Sequence, residues 1–179
     1  MVSWTCEVKL IQIILIIASF VYQQNMGKKR TGIEQIYRSH HAKRRGQDFV
    51  VLGEERGNFL RKHIGEGMKI LDIGCRDGEL TKYYARGNEV LGVDIDAVAL
   101  ERAKEKLSIE TLHTDLNGEW DEIPKNYFDA VVAAEVIEHL YYPGLVLEKI
   151  SKVLKPQGLL IGSIPHAFSF QNRIRLVFG

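Results

Sequence analysis

The sequence predicts an α/β protein, a doubly wound and mostly parallel sheet with helices on both faces. Three observations carry this. From Met68 onward, short apolar runs alternate with longer amphipathic stretches, the strand, helix, strand rhythm of a parallel sheet covered on both sides. The first of these runs ends in a glycine-rich turn, where such sheets place a ligand. A length of 179 residues with 45% hydrophobic side chains suits one core and is too small for two full domains.

The elements follow in chain order. Residues 1–25 form an apolar leader whose centre, LIQIILIIASFV at 10–21, is interrupted only by Gln12 and Ser19. It is shorter than the ~20 apolar residues of a membrane-crossing helix. The first eight residues hold Glu7 and no Lys or Arg, unlike a secretory signal. Two readings stand: the leader lies upstream of a start at Met26, or it is a membrane-surface or spanning anchor. Either way it is left out of the fold argument. Residues 26–67 form N-terminal helices, with Ile33, Ile36 and Tyr37 on one face and Phe49, Val50, Leu52, Phe59, Leu60 and Ile64 at helical intervals. Residues 68–179 form the main domain. Its strands are expected at MKILDIG (68–74), EVLGVDI (89–95), ETLHTDL (110–116), FDAVVAAEV (128–136) and LLIGSIP (159–165). Its helices are expected at 79–86, 97–107 and 143–154, the last stopped by Lys155-Pro156-Gln157-Gly158.

Charge narrows the function. Residues 28–45 carry seven Lys or Arg against one acid, whereas residues 46–179 carry sixteen against twenty-one, a net of −5. A nucleic-acid-binding core has the opposite sign, so no nucleic-acid partner is expected. The basic cluster Lys43-Arg44-Arg45 reads as a solvated face, and with the leader it makes residues 10–45 the place for any membrane-surface contact. Cys6 and Cys75 form neither a disulfide framework nor a metal-ligand pair, which suits a reducing, cytoplasmic compartment. His40, His41, His63, His113 and His166 lack ligand spacing, and no metal site is expected.

The chemistry concentrates at strand ends. In LDIGCRDGEL (71–80), a buried strand runs into Gly74-Cys75-Arg76-Asp77-Gly78 and then a helix. Glycines there admit positive φ and a close backbone approach, and the helix start presents unpaired N–H groups. The spacing is not the G-x-G-x-x-G of a dinucleotide site, which counts against a nicotinamide-dependent oxidoreductase. Asp94 stands at the end of the second strand, where a carboxylate can accept both ribose hydroxyls of an adenosine. It could instead cap the next helix, a place Asp96 fills better. Asp115 ends the third strand, so three strand ends open on one crevice.

With LDIGCRDGEL, VLGVDID, HTDLN, FDAVVAAEVIEHL and LKPQGLLIGSIP in this order and spacing, residues 68–179 resemble the class I S-adenosylmethionine-dependent methyltransferases. The likeness is to their small-molecule branch, which includes methionine- and quinone-biosynthesis enzymes. The resemblance implies a Rossmann-like fold, S-adenosylmethionine as cofactor and a small-molecule methyl acceptor. It places Asp72, Gly74, Cys75 and Gly78 around the methionine portion, Asp94 on the ribose and Ile95 on the adenine. Asp115 and Leu116 would meet the adenine edge. Glu135 joins the cofactor residues and faces the reacting methyl with His139, the candidate base or positioning group; a histidine beside Tyr141 and Tyr142 could also simply pack.

Two departures matter. The family has glycine where this chain has Arg76. A negative φ there, with the side chain turned outward, would keep the site, and otherwise a cofactor-binding but inactive module is the alternative. The family also adds two strands after the fifth, and only HAFSFQNRIRLVFG follows LLIGSIP, although Asn172, Arg173 and Arg175 look similar to family residues beyond that strand. The sheet is therefore expected to lack its last two strands and leave the fifth as an exposed edge.

Overall fold

A computed structural model describes residues 14–18, 50 and 52–165. Among the described residues, six strands form one sheet: β1 (Ile14–Ala18), β2 (Lys69–Ile73), β3 (Glu89–Asp94), β4 (Glu110–His113), β5 (Phe128–Ala134) and β6 (Leu154–Pro165). Three helices flank it: α1 (Gly53–His63), α2 (Ala97–Leu107) and α3 (Pro143–Val153). The sheet order is β1-β6-β5-β2-β3-β4, and each neighbouring pair runs parallel.

Strand alternation sends side chains to two cores. On one face, Leu71, Ile73, Val93, Val131, Ala133 and Leu160 meet Val146, Ile150 and Val153 of α3 together with Trp120 and Phe128. On the other, Ile70, Val90, Ala130, Val132 and Ile161 meet Leu60 of α1, Ile64 just beyond it, Tyr84 and Ala103 of α2. Near-continuous burial of β2 and β5 explains why both read as unbroken apolar runs. Asp96 caps α2, its Oδ1 accepting from the Val98 and Ala99 N–H groups. Pro143 opens α3, and the chain turns extended at Leu154.

Four boundaries differ from expectation. The helix expected over 79–86 is only a 3-10 turn, Thr81–Tyr83, because the Thr81 and Tyr84 hydroxyls are drawn to Asp72 beneath them. β4 ends at His113, leaving Asp115 in the following turn. β6 begins at Leu154, with a register shift that absorbs Lys155-Pro156-Gln157-Gly158 as an irregularity in the strand. β6 is not an edge, since β1, from the leader set aside above, pairs Ile14 to Ile161 and Ala18 to Pro165. The helix expected before residue 50, the basic cluster at 43–45 and the residues after 165 lie outside the described residues. Among the described residues, no helix is long and apolar enough to cross a membrane.

Candidate functional site

The strand order reverses between β2 and β5, so the connections after these strands part and leave a crevice at their carboxyl ends. Its floor is the turn Gly74–Gly78. Gly74 has φ 73°, its N–H donates to the Val93 carbonyl at 2.7 Å, and a Cβ there would lie 2.3 Å from Val136 Cγ2. Gly78 has φ 78°, and a Cβ would lie 2.6 Å from Leu107 Cδ1. Neither position admits a side chain without displacing a neighbour, so the turn sits flush between β5 and α2. Cys75 is buried against Gly92, and burial holds its thiol well above the usual range, with Asp72 and Asp94 adding to the shift. It is a protonated packing residue.

Arg76 has φ 49°, left-handed backbone rather than the negative φ on which the sequence argument rested retention of the site. This explains the family's glycine, and an L-residue there costs about 1–2 kcal/mol. The site nonetheless keeps its shape, because the Arg76 N–H donates to Asp94 Oδ2 at 3.0 Å whatever the side chain. The Asp94 Oδ1 accepts from the Asp96 N–H at 2.8 Å. Asp94 is thus 8% exposed and clamped by two backbone donors, with lone pairs left on each oxygen. Burial raises its pKa, and the two backbone bonds oppose the rise. The capping role open to Asp94 falls to Asp96.

Asp72 is buried one register step behind the turn, its Oδ2 accepting from Thr81 Oγ1 and Tyr84 OH, both at 2.6 Å. Burial first, and the Asp94 charge besides, push its pKa up to about 6 against the two hydroxyl bonds. Ile95 is half-buried, and its carbonyl accepts from His113 Nε2 at 2.9 Å. Asp115 is exposed in an Asx turn, Oδ1 accepting from the Asn117 N–H at 2.9 Å. The Leu116 side chain belongs to the core beside Trp120, so only its backbone is left for an adenine edge.

Glu135, just past β5, has φ 57° and donates its N–H to the Ser163 carbonyl at 2.8 Å. Its Oε1 lies 3.3 Å from Arg56 Nη1 of α1, and Arg56 Nη2 donates to Ser163 Oγ at 3.2 Å. Arg56, 4% exposed, therefore ties α1 to the ends of β5 and β6. Sequence reasoning missed Arg56 and Ser163, since an arginine on an amphipathic helix carries no local mark of burial. His139 ends a second 3-10 turn, Ile137–His139. Its imidazole is exposed, and its Nε2 lies 3.8 Å from Glu138 Oε1. Burial first, and the Glu135 charge after it, push the Glu138 carboxyl up to about 7.

Residues 71–162 match the methyltransferase domain family. The chain belongs to the class I S-adenosylmethionine-dependent methyltransferases. The cofactor of that family is S-adenosylmethionine. Among curated members, a ubiquinone biosynthesis O-methyltransferase of Bradyrhizobium diazoefficiens is 38% identical over 104 residues, 54% of this chain and 40% of that protein. The mitochondrial ubiquinone biosynthesis O-methyltransferase of Schizosaccharomyces pombe is 35% identical over 112 residues, 58% of this chain and 40% of that protein. The chain thus spans about two fifths of the length of these methyltransferases. A coclaurine N-methyltransferase crystallised with N-methylheliamine and S-adenosylhomocysteine superposes with a TM-score of 0.53 at 25% identity, covering 61% of this chain and 35% of that one.

Proposed function

We propose that this methyltransferase-family chain binds S-adenosylmethionine across the β2–β3 strand ends and directs its methyl group to a small-molecule nucleophile. The observation that carries the proposal is Asp94, a buried carboxylate clamped by the Arg76 and Asp96 N–H groups beside a turn with no room for side chains at Gly74 and Gly78. That pairing of an open backbone turn with an acceptor one strand away suits an adenosine carrying an amino-acid tail.

In this reading Asp94 accepts the ribose hydroxyls, Ile95 lies against the adenine, and Asp115 with the Leu116 backbone meets its edge. Asp72, Gly74, Cys75 and Gly78 line the methionine portion, and Glu135, with Arg56 paired to it, closes the far side. When bound, S-adenosylmethionine supplies a methyl already activated on a sulfonium, so positioning and water exclusion are the main demands on the protein. His139 and Glu138 stand at the rim, where either can take the acceptor's proton or orient it. Tyr141 and Tyr142, 72% and 63% exposed, directly follow that rim and suit an acceptor with an aromatic or apolar body. The place of β1 in the sheet favours a structural role for the leader, so any membrane-surface contact falls to the basic residues 28–45.

Calorimetric titration with S-adenosylhomocysteine, beside Asp94→Ala, tests the reading. The parent is expected to bind, and the variant to bind about tenfold to a hundredfold more weakly through lost charge-assisted hydrogen bonds. No heat from a folded parent, or equal affinity in the variant, would refute it.

A further inference from the structure

Asp72 carries an arrangement that the cofactor reading does not use. Thr81 and Tyr84 are 0% and 3% exposed, and both hydroxyls reach the same oxygen, Oδ2, at 2.6 Å. Two charge-assisted donors on one oxygen fix the plane of the carboxyl group and leave Oδ1 for a different partner. Pinning the 3-10 turn to β2 would need only one such bond. Among the described residues no Lys or Arg pairs with Asp72, and the charge that acts on it is the like charge of Asp94. A buried carboxylate without a cation is costly, and a cationic ligand group would complete it. Asp72 lies two residues before Gly74 with Gly92 and Val132 as its register neighbours, which places it on β2 beside the switch point. The turn is also braced from outside: a Cβ on Gly57 of α1 would lie 2.3 Å from the Tyr83 ring, so α1 packs directly against the turn that carries Thr81.

We infer that Thr81 and Tyr84 are positioning residues for the cofactor, holding the Asp72 carboxyl so that Oδ1 meets the ammonium of its methionine portion. The inference rests on the cofactor reading above. It predicts that two hydroxyls remote from the ligand set the affinity for it.

The test is calorimetric titration with S-adenosylhomocysteine between pH 5 and 8, on the parent, Tyr84→Phe and Thr81→Val. Each variant keeps the buried shape and removes one donor. Tyr84→Phe is expected to bind about tenfold more weakly at pH 7. The pH at which affinity falls on acidification is expected to move upward by about one pH unit, because a donor to the ionised carboxyl is gone. Thr81→Val moves both in the same direction, and Asp72→Asn binds weakly and no longer shows the shift that Tyr84→Phe or Thr81→Val produces. Hydroxyls that only brace the turn would lower the melting temperature and leave both readouts of the folded protein unchanged. That outcome in both variants, with a parent that binds, overturns this inference alone; a folded parent that does not bind overturns the cofactor reading with it. Should Tyr84→Phe not fold, Thr81→Val and the carbon-13 titration of Asp72 decide. An Asp72 resonance whose titration does not respond to S-adenosylhomocysteine refutes the inference.

Discussion

Replacing Gly74 by alanine isolates what makes the turn possible. The added Cβ would lie 2.3 Å from Val136 Cγ2 and 3.4 Å from Val136 Cβ, and φ is 73°. Two costs combine. The left-handed backbone costs about 1–2 kcal/mol for any L-residue, and forcing a methyl into a packed contact costs about 1–3 kcal/mol. Gly74→Ala is therefore expected to lose about 3 kcal/mol in all. The second cost belongs to one methyl group of Val136, so Val136→Ala removes it while the backbone cost stays. Val136→Ala alone should lose about 1–2 kcal/mol from its partly buried contacts. The double variant should then fall short of the sum by about 2 kcal/mol. Guanidinium unfolding of the parent, both single variants and the double variant measures this coupling from the midpoints and slopes. Additivity within about 0.5 kcal/mol would refute the steric account and leave the backbone angle as the whole cost.

Other outcomes follow from the same geometry. Arg56→Met leaves the partly buried Glu135 without this cation and should cost about 2–3 kcal/mol in denaturant unfolding; a loss under about 1 kcal/mol would mean that Glu135 finds water instead. Asp96→Ala removes the cap of α2 and should cost about 1 kcal/mol by the same assay, without a change in the unfolding slope. Asp72, with a pKa raised to about 6, binds its proton more tightly folded than unfolded. Its contribution to stability is therefore greatest below about pH 4 and declines as pH rises through 6, by about 3 kcal/mol in total. Asp72→Asn should abolish this part of the pH dependence, and a parent-minus-variant stability difference that is flat from pH 4 to 7 would contradict it.

The parallel sheet was legible because β2 and β5 are buried on both faces and show it as continuous apolar runs. α2 was legible to the residue, since Asp96 supplies a cap and Ser108, at φ 54°, a stop. What escaped depended on contacts distant in sequence. The 79–86 segment has helical composition, but the hydroxyls of Thr81 and Tyr84 are bonded to Asp72, nine and twelve residues away, and only one tight turn forms. Arg56 reaches Ser163 across 107 positions, and no local pattern encodes that. The strand ends carrying Asp72, Gly74 and Asp94 were found from spacing.

The pairing of β1 with β6 bears on how the chain is made. Ile14 is synthesised long before its partner Ile161. At bacterial or eukaryotic elongation rates the interval is roughly ten to thirty seconds. Throughout it an apolar segment with unpaired backbone has no native neighbour. Closing the sheet this way leaves that apolar segment open to non-native association during synthesis, and makes the β1–β6 pairing the strand contact with the greatest loop-closure cost among the described residues.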